Sequence, residues 1–316
     1  MNFWTKLTKP FTVLAPMEDV TDTVFRQIVA KCGKPDVFFT EFTNVDGLFS
    51  KGREKVAQRL KFADIEKPIV AQIWGLTPEN FYKAGKLLNK LNFDGIDINM
   101  GCPQKNVTKK GACSALINNQ PLAKEIISAT IEGAGKLPVS IKTRVGFKKI
   151  QTEEWISFLL GFPIAALTVH GRIASEMSRK PANWEEIGKA VEIRNRMKSQ
   201  TLIIGNGDVI SYKDAVEKAG KYKADGIMIG RGIFEDLWIF DQKKKEITFK
   251  KKLMMLKKHI FLFQTIWEGK RDFNMLKKFY KIYIREIPEA SEIRGKLVRF
   301  KTLDETIQYI EKLLTL

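Results

Sequence analysis

Residues 202–232 read LIIGNGDVISYKDAVEKAGKYKADGIMIGRG. Two short apolar runs, Leu202–Gly205 and Gly226–Ile229, enclose a longer stretch that can form a helix. Short apolar runs bounded by glycine are typical of strands buried on both faces of a parallel sheet. The stretch therefore predicts a strand–helix–strand unit whose strands each end in glycine and polar residues.

The same unit recurs toward the N-terminus. Six more apolar runs precede it, at Phe11–Ala15, Val37–Thr40, Ile69–Ile73, Gly95–Asn99, Val139–Lys142 and Ala165–His170. Helical stretches lie between the runs, for example Thr21–Lys31, Pro78–Leu91 (with Thr77 as N-cap), Pro121–Ile131 and Trp184–Met197. Eight strands with eight helical connections predict an α/β fold, the (β/α)8 TIM barrel. A doubly wound sheet is the alternative, but its usual complement of about five or six strands leaves runs unused.

The pattern changes in the last quarter of the chain. Residues 1–240 are predicted to form the barrel, and residues 241–316, which contain no convincing strand, a small all-helical C-terminal domain. The clearest helix there is Phe273–Ile287, whose apolar residues recur at helical spacing. A last helix begins with a capping box from Thr302 to Glu305.

Composition limits the class of protein. The chain has 316 residues, 44% of them hydrophobic, so it can bury a large core and is not disordered. A net charge of +18 indicates a polyanionic partner. Three cysteines without a C-x-x-C pair exclude a disulfide scaffold and the common zinc sites, and we predict no metal site. No apolar run is long enough for a membrane span or a signal peptide, so we expect a cytoplasmic protein.

Polar, ionisable or glycine residues follow all eight predicted strands. In a TIM barrel the carboxyl ends of the strands carry the function, so this clustering is the main functional signal. In chain order the residues are Pro16 to Asp19, Glu41, Gln72 with Trp74, Asn99 to Pro103, Lys142 with Arg144, His170 to Arg172, Asn206 to Asp208, and Gly230 to Gly232.

The last two strand ends predict a phosphate site. Gly205–Asp208 and Gly230–Gly232 place glycines before expected helix N-termini, and Arg231 adds a cation. Tight turns would explain either loop alone, but two in consecutive units favour a phosphate-bearing cofactor. Gln72 offers an amide suited to the pyrimidine edge of a flavin, and Lys142 a charge that would stabilise a reduced flavin ring.

One cysteine and one histidine have settings that suggest function. Cys102 lies in a Gly-Cys-Pro turn that would present its thiol at the barrel mouth, whereas Cys32 is expected to pack inside the first helix. His170 ends a strand beside Arg172 and is expected to contact a ring or a phosphate. His259, on an apolar helical stretch, is expected to be structural.

Positive charge is concentrated in the tail. Residues 241–316 hold 19 Lys and Arg against 10 Asp and Glu, which is half of the net charge. The run Lys243–Lys252 is typical of a solvated connector. A more informative group, here called the basic stripe, would share one face of the Phe273–Ile287 helix, as expected for contact with a nucleic-acid backbone. It consists of Lys277, Lys278, Lys281 and Arg285.

Taken in order, these residues resemble the tRNA-dihydrouridine synthases. The Asn-x-Gly-Cys-Pro element is the most specific part, and Arg294 in the tail resembles a family position in the helical domain. The matching elements are Ala15-Pro-Met-Glu-Asp-Val-Thr-Asp22 with Phe25-Arg26, Thr40-Glu41, Gln72, Asn99-Met-Gly-Cys-Pro103, Lys142-Thr-Arg144, His170-Gly-Arg172, Gly205-Asn-Gly-Asp208 and Ile229-Gly-Arg-Gly232.

The resemblance implies an FMN enzyme that reduces the C5=C6 bond of selected uridines in tRNA with NADPH. Cys102 would donate a proton to C5, from a thiol with a reference pKa of about 8.5 that is mostly protonated at neutral pH. Asn99 and Arg144 would position the uracil. The residues expected to hold FMN are Pro16, Met17, Glu18, Gln72, Lys142, His170, Asn206, Gly207, Asp208, Gly230 and Arg231. Those expected to hold the tRNA are Lys277, Lys281, Arg285 and Arg294. We expect a monomer without an obligate protein partner.

Two segments depart from the family pattern. Lys109–Leu116 has Cys113 where the family usually has glycine. If that loop approaches Cys102, the second thiol would either alter its geometry or form a reversible disulfide with it. Ser175–Lys180 also differs from the commoner family sequence, so the position of the reduced uridine is not predicted.

Two other classes of function remain open on the sequence alone. A flavin barrel could reduce a small molecule of the dihydroorotate or enoate type, or a uridine of ribosomal RNA; activity without RNA would identify the small-molecule case. An RNA-binding protein without catalysis is the other class, and Cys102→Ala would separate it from the enzyme.

Overall fold

The computed structural model of the chain describes residues 2–243 and 246–315 and contains a parallel β-sheet closed into a barrel. Hydrogen-bonded neighbours follow the order β1-β9-β8-β7-β6-β5-β4-β2, and a parallel bridge between Val13 and Val37 closes the ring. The predicted eight-stranded barrel is confirmed; the short β3 is an extra strand that pairs with β4. The strands are β1 (Phe11–Leu14), β2 (Phe38–Phe39), β3 (Thr43–Asn44), β4 (Ile69–Trp74), β5 (Gly95–Met100), β6 (Val139–Arg144), β7 (Ala166–His170), β8 (Leu202–Asn206) and β9 (Gly226–Ile229).

Helices connect the strands close to where the sequence predicts them. Asp22 begins α1 by accepting a hydrogen bond from the Phe25 amide, and prolines occupy the first turns of α4 and α6. Thr77 is the N-cap residue of α4, but its side chain makes no capping bond. The α-helices are α1 (Thr23–Cys32), α2 (Val45–Leu48), α3 (Arg53–Ala57), α4 (Pro78–Lys90), α5 (Lys105–Thr108), α6 (Gln120–Ala134), α7 (Thr152–Leu160), α8 (Trp184–Arg196), α9 (Tyr212–Tyr222), α10 (Phe249–Trp267), α11 (Tyr280–Tyr283), α12 (Ala290–Arg299) and α13 (Leu303–Leu314). The 3-10 helices are Phe3–Lys6, Gln58–Leu60, Asp64–Glu66, Cys113–Asn118, Ala174–Glu176, Arg231–Phe234 and Phe273–Phe279.

The connection after the last barrel strand is not the predicted helix. A single 3-10 turn, Arg231–Phe234, follows β9, and the next α-helix is α10, which packs against α1. The tail is therefore joined to the first helix of the barrel. Among residues 2–243 and 246–315, no helix combines the length and the apolar character that a membrane span requires.

The prediction of one continuous helix over Phe273–Ile287 was wrong. The chain makes a 3-10 helix over Phe273–Phe279 and then α11, which ends at Tyr283. Two causes lie just beyond that end: Glu286 has a φ of 63°, and Pro288 disfavours helical backbone at the residue before it. The basic stripe consequently does not share the face of one helix.

Aromatic and polar contacts fix the tail to the barrel. Phe279 stacks on Phe25 of α1 with ring centroids 4.9 Å apart, and the Trp267 indole donates to the Asp22 carboxylate at 3.0 Å. His259 is buried, its Nδ1 lies 2.8 Å from the Tyr283 hydroxyl, and burial lowers its pKa to about 3. The structural role predicted for His259 is thus confirmed.

Two further predictions about packing hold. Cys32 is buried in α1, as predicted, and is a free thiol. The capping box of α13 forms as predicted: the Thr302 hydroxyl accepts from the Glu305 amide, and the Glu305 carboxylate accepts from the Thr302 amide.

Candidate active site

A cavity of about 1280 Å³ opens at the carboxyl ends of the barrel strands. It is lined by Cys102, by Asn99 and Arg144, and by every residue predicted to hold the cofactor. The structure thus brings together side chains from all eight barrel strand ends. The residues that line the cavity and were predicted to hold the cofactor are Pro16, Met17, Glu18, Gln72, Lys142, His170, Asn206, Gly207, Asp208, Gly230 and Arg231.

Asn99 fixes the turn that carries Cys102. Its side-chain oxygen accepts from the Gly101 amide at 3.0 Å and from the Cys102 amide at 2.9 Å. Its amide nitrogen donates to Gln72 Oε1 at 2.9 Å. Both polar atoms of Asn99 are therefore bonded within the protein, which makes it a support of the Cys102 turn.

Gln72 belongs to a buried hydrogen-bond chain behind that turn. Its Nε2 donates to Asp97 Oδ2 at 2.7 Å, and Asp97 Oδ1 accepts from the Ser140 hydroxyl at 2.7 Å. Burial raises the pKa of Asp97 to about 6, against the lowering effect of these two bonds. Both ends of the Gln72 amide are engaged by Asn99 and Asp97, so the rotamer of Gln72 is fixed where it lines the cavity.

The Cys102 thiol lies within hydrogen-bonding reach of the Cys113 thiol. That bond is the main reason the pKa of Cys102 falls to about 7; the Gln104 amide, Arg144 and Lys142 lower it further, while burial opposes them. The sequence had predicted a mostly protonated thiol with an ordinary pKa. The structure therefore lowers the pKa of this thiol below the ordinary value that the sequence prediction assumed.

Lys142 and His170 line the cavity on neighbouring strands. Lys142 donates to Asn206 Oδ1 at 3.0 Å, and burial together with the charge of Arg144 lowers its pKa to about 8. His170 Nε2 lies 2.9 Å from an Arg172 nitrogen that can only donate, so Nε2 accepts and Nδ1 carries the proton. Burial and nearby cations hold the pKa of His170 well below its usual value, and its ring is neutral.

An ion-pair cluster supports the predicted phosphate loops. Arg172 is buried and donates to Asp208 Oδ1 at 2.6 Å, and Arg231 donates to the same oxygen at 3.1 Å. Partial burial opposes ionisation of Asp208, but these bonds and one from the Ala182 amide lower its pKa. Gly207 has a φ of 127°, and a β-carbon there would lie 2.5 Å from that of Ala182, so this position requires glycine.

The helix N-termini predicted behind these two loops are not in place. The N-cap residue of α9 is Ser211, which comes after Asp208 and two further residues, and a four-residue 3-10 helix follows Gly230. Helix α9 starts beyond the first loop, and the 3-10 helix after Gly230 is too short to have a strong dipole. A helix dipole therefore does not provide the positive potential for an anion at these loops. Arg231 and loop backbone amides are the remaining donors.

Charged groups also pair at the mouth of the cavity. Glu18 accepts from Arg59 Nε at 2.7 Å and from the Phe42 amide at 3.2 Å. Behind it, burial and the adjacent Asp22 raise the pKa of Glu41 to about 7, although Arg271 opposes this shift. Glu18 therefore lines the cavity as the acid of an ion pair.

The basic stripe lies beside the cavity rather than in it. Lys278 donates to the carbonyl of Asp19, and Arg285 donates to the carbonyl of Glu235 at 2.6 Å; both acceptor residues line the cavity. Arg285 also pairs with the Glu235 carboxylate at 2.8 Å. Lys281 is exposed, and Lys277 lies 5.4 Å from the centroid of the Phe273 ring.

Arg294 bonds the protein backbone, and its predicted contact with RNA stays a prediction. Its guanidinium donates to the carbonyl of Ile284 at 2.6 Å, one residue past the end of α11. This bond satisfies the Ile284 carbonyl, which lies just outside α11. In the structure Arg294 is thus a support of the tail backbone.

Sequence reasoning missed four contributors to the site. Arg172 was named at its strand end and in the family element but was given no role. Asp97 was only part of a strand, although a carboxylate inside an apolar run was a signal. Arg59 carries no local signal, because its partner is 41 residues away. Cys113 was flagged only by its departure from a family pattern.

The chain matches the family model "Dihydrouridine synthase (Dus)" over residues 13–315. The chain belongs to the dihydrouridine synthase family. It is 45% identical over 307 residues to a probable tRNA-dihydrouridine synthase of Staphylococcus aureus (strain COL), covering 96% of this chain and 93% of that protein. It is 44% identical over 307 residues to probable tRNA-dihydrouridine synthase 2 of Bacillus subtilis (strain 168), covering 96% and 94%.

Solved structures with the same fold are more distant in sequence. Morphinone reductase superposes with a TM-score of 0.56 at 11% identity, over 77% of this chain and 87% of that one. A mutant of morphinone reductase in complex with tetrahydroNAD gives 0.52 at 12%, over 75% and 87%. At this level of identity, the likeness concerns the barrel fold.

Proposed function

We infer that the protein reduces the C5=C6 bond of uridines in tRNA to dihydrouridine, with FMN as cofactor and NADPH as reductant. The observation that carries this proposal is Cys102, held in the Gly-Cys-Pro turn of a dihydrouridine synthase at the wall of a cavity that the strand-end residues share. The tRNA-dihydrouridine synthases of S. aureus and B. subtilis, as named, support the substrate.

The residues present fit a phosphorylated flavin. The cavity is large enough for a tricyclic ring, and one end carries Arg231 beside a glycine loop in which a β-carbon would collide with its neighbours. Asp208 would repel a phosphate, but its charge is engaged by Arg172, Arg231 and the Ala182 amide. We therefore assign Asp208 to the positioning of Arg231, and Arg231 to the phosphate itself.

The part of the cavity next to this loop fits the ring system. Lys142 is a partly buried cation, and His170 is a neutral ring whose Nδ1–H remains a donor. Bound FMN would supply a hydride to C6 of the uracil after its reduction by NADPH. Lys142 would stabilise negative charge on a reduced ring, and Gln72 and Met17 would contact its edge and face.

Cys102 would protonate C5 of the uracil. The thiol donates while protonated, and the Gln104 amide and the Cys113 thiol stabilise the thiolate that remains. Asn99 keeps the Cys102 turn in place through its two backbone bonds. Arg144 donates to the Gly101 carbonyl at 2.8 Å and supports the same turn while it lines the cavity for the uracil.

A tRNA would approach the mouth beside the basic stripe. Lys278 and Arg285 already contact residues of the cavity rim, which places this stripe next to the entrance. Lys281 and Lys277 are the stripe members we assign to phosphate contacts, since Lys278 and Arg285 bond carbonyls of the protein. The target base must turn out of the folded RNA to reach Cys102. We expect a cytoplasmic monomer.

The experiment is mass spectrometry of tRNA that lacks dihydrouridine but is otherwise naturally modified. The tRNA is incubated with the purified protein, FMN and NADPH, and we expect a gain of two hydrogens on a mapped uridine. No gain from FMN-loaded protein that oxidises NADPH would contradict the tRNA substrate, and ribosomal RNA and small molecules would be assayed next. Failure to bind FMN would contradict the flavin assignment.

A further inference from the structure

Cys113 occupies an unusual backbone position beside the active-site thiol. Its φ is 54°, in the left-handed region that a residue with a β-carbon adopts at a conformational cost. Glycine would adopt it without that cost. A strained residue that is retained beside a reactive group points to a role for its side chain.

The two cysteines are held together by their backbones as well as by their side chains. The Cys102 carbonyl accepts from the Ser114 amide at 3.3 Å and from the Ser114 hydroxyl at 2.9 Å, so the residue after Cys113 is fixed to Cys102. Both cysteines line the same cavity, and both are free thiols. The Ser114 bonds therefore hold the segment that carries Cys113 next to the Cys102 turn.

The two thiols differ in the way that an attacking and a resolving cysteine differ. Cys102 is half-exposed, and the Cys113 thiol, the Gln104 amide and two cations favour its thiolate. Cys113 is 2% exposed, and its burial raises the pKa of its thiol well above the ordinary value. An oxidant entering the cavity would therefore react with Cys102 first.

We propose that Cys102 and Cys113 form a reversible redox pair, in which a peroxide converts the active-site thiol into a disulfide with its buried neighbour. The Cys102 thiolate attacks one oxygen of hydrogen peroxide, an S–O bond forms, the O–O bond breaks, and the departing hydroxide takes up a proton. The Cys113 sulfur then attacks Cys102 Sγ of the sulfenic acid, and hydroxide leaves with the Cys113 proton as water. Two thiols and one peroxide give one disulfide and two waters.

The pair protects the thiol and at the same time stops the reaction. A disulfide has no proton to donate, so uridine reduction ceases while it lasts. Without a resolving thiol, excess peroxide would carry the sulfenic acid on to sulfinic acid, which ordinary dithiols do not reverse. A dithiol reductant entering the cavity restores both thiols by two exchange steps.

The test treats the FMN-loaded enzyme with hydrogen peroxide and maps its cysteines by mass spectrometry. Cleavage after Lys and Arg separates the pair, because Cys102 lies in the peptide 91–105 and Cys113 in the peptide 111–124. We expect a cross-link between these peptides, a protein lighter by two hydrogens, and at least tenfold loss of dihydrouridine formation that dithiothreitol restores. Cys102 as sulfinic acid without the cross-link would overturn the proposal.

Three variants sharpen the test. Cys113→Gly, which suits the left-handed backbone, and Cys113→Ser, which keeps a donor, should both form no cross-link and lose activity irreversibly, each relative to its own untreated sample. Cys32→Ser should behave as the parent enzyme, because Cys32 is buried in α1 away from the cavity. Recovery of Cys113→Gly by dithiothreitol to the parent's extent would overturn the proposal.

The activity readout rests on the proposed function, but the cross-link does not. If the disulfide forms and uridine reduction continues, the role of Cys102 as proton donor fails while the redox pair stands. If the untreated enzyme makes no dihydrouridine, the peptide map still decides whether the pair exists.

Discussion

Two walls of the active-site cavity are held by different kinds of bond. The wall on β4–β6 is fixed by buried hydrogen bonds that run from Ser140 through Asp97, Gln72 and Asn99 to the backbone of Cys102. The wall on β7–β9 is fixed by ion pairs of Arg172 and Arg231 with Asp208, which reach the surface. Salt should not weaken the buried hydrogen bonds of the first wall, whereas it should weaken the ion pairs of the second wall, because they reach the surface. The contrast supports the proposed function, in which the first wall carries the chemistry and the second retains an anionic group.

The largest effect should come from the reactive end of the first wall. Cys102→Ala should lower dihydrouridine formation by about 10²–10⁴-fold, because it removes the proposed general acid. Binding of FMN and tRNA should persist, since other residues carry it. Single-turnover assays with mass spectrometry of the tRNA measure the effect, with Cys32→Ala as the matched control. Equal rates in the two variants would remove Cys102 from the mechanism.

The second prediction breaks the hydrogen-bond chain. Asn99→Ala leaves the amides of Gly101 and Cys102 without their acceptor, so we expect a loss of about 3 kcal/mol in the free energy of unfolding and a slower reaction. Urea unfolding measures the stability. Asn89→Ala removes a single bond to the Ala134 carbonyl at 3.3 Å and should cost about 1 kcal/mol or less. Similar losses in the two variants would mean that Asn99 does not support the turn.

The third prediction addresses the second wall. Arg231→Met should weaken FMN binding by about tenfold or more, the worth of one charged hydrogen bond. Riboflavin binding should be unchanged, because riboflavin lacks the phosphate. Fluorescence titration of both ligands measures the difference. A parallel loss for riboflavin would place Arg231 at the ring instead.

The fourth prediction concerns pH. The proton donor must be protonated, so a Cys102 pKa of about 7 predicts a rate that falls roughly tenfold per pH unit once the pH rises above 7. Cys113→Gly removes the bond that lowers this pKa, so the falling limb should move to higher pH. Cys113→Ser keeps a donor and should move it less. Single-turnover rates are measured against pH for the FMN-loaded parent enzyme and for both variants. If the rate falls at the same pH in all three enzymes, the contact between the two thiols is contradicted.

The smallest effect should come from the basic stripe. Lys277→Ala combined with Lys281→Ala should weaken tRNA binding several-fold and reduce the slope of log affinity against log salt by about 1 to 2, because fewer phosphates are neutralised. Lys213→Ala with Lys221→Ala, two exposed lysines of α9, is the matched control. An unchanged slope in the stripe variant would show that tRNA uses another face.

The sequence predicted Gln72, Asn99 and Cys102 of the first wall and the positions of the strands because their signals are local. A buried parallel strand is an apolar run, and a residue after it lies at the mouth of the barrel. Partners are not local. Arg285 bonds Glu235, which is 50 residues away in the chain, and Arg294 bonds the Ile284 carbonyl. Neither partner is evident in the sequence, so both arginines were predicted to be available for RNA.

The form of the tail was only partly accessible to local reasoning, because Pro288 signals a helix end and nothing local signals the 3-10 helix. Apolar spacing over Phe273–Ile287 fits a helix, but burial of Ile282 alongside Tyr283 and Ile284 leaves no purely polar side. Tertiary packing therefore selects a 3-10 helix and one α-turn. The charge on Cys102 depends in the same way on Cys113, which the sequence separates from it by ten residues.

The bridge between Val13 and Val37 has a consequence for how the barrel opens. In the described chain this junction of β1 and β2 is held by one bridge, with amide bonds from Leu14 to Val37 and from Val37 to Thr12, whereas β5 and β6 pair over five residues each. Amide hydrogens at this seam should exchange with solvent earlier than those of β5 and β6. Helix α1 connects β1 to β2, and α10 of the tail packs on α1. We therefore expect the tail to stabilise the junction between these two strands. An RNA that settles on the tail would then slow exchange at a strand it never touches.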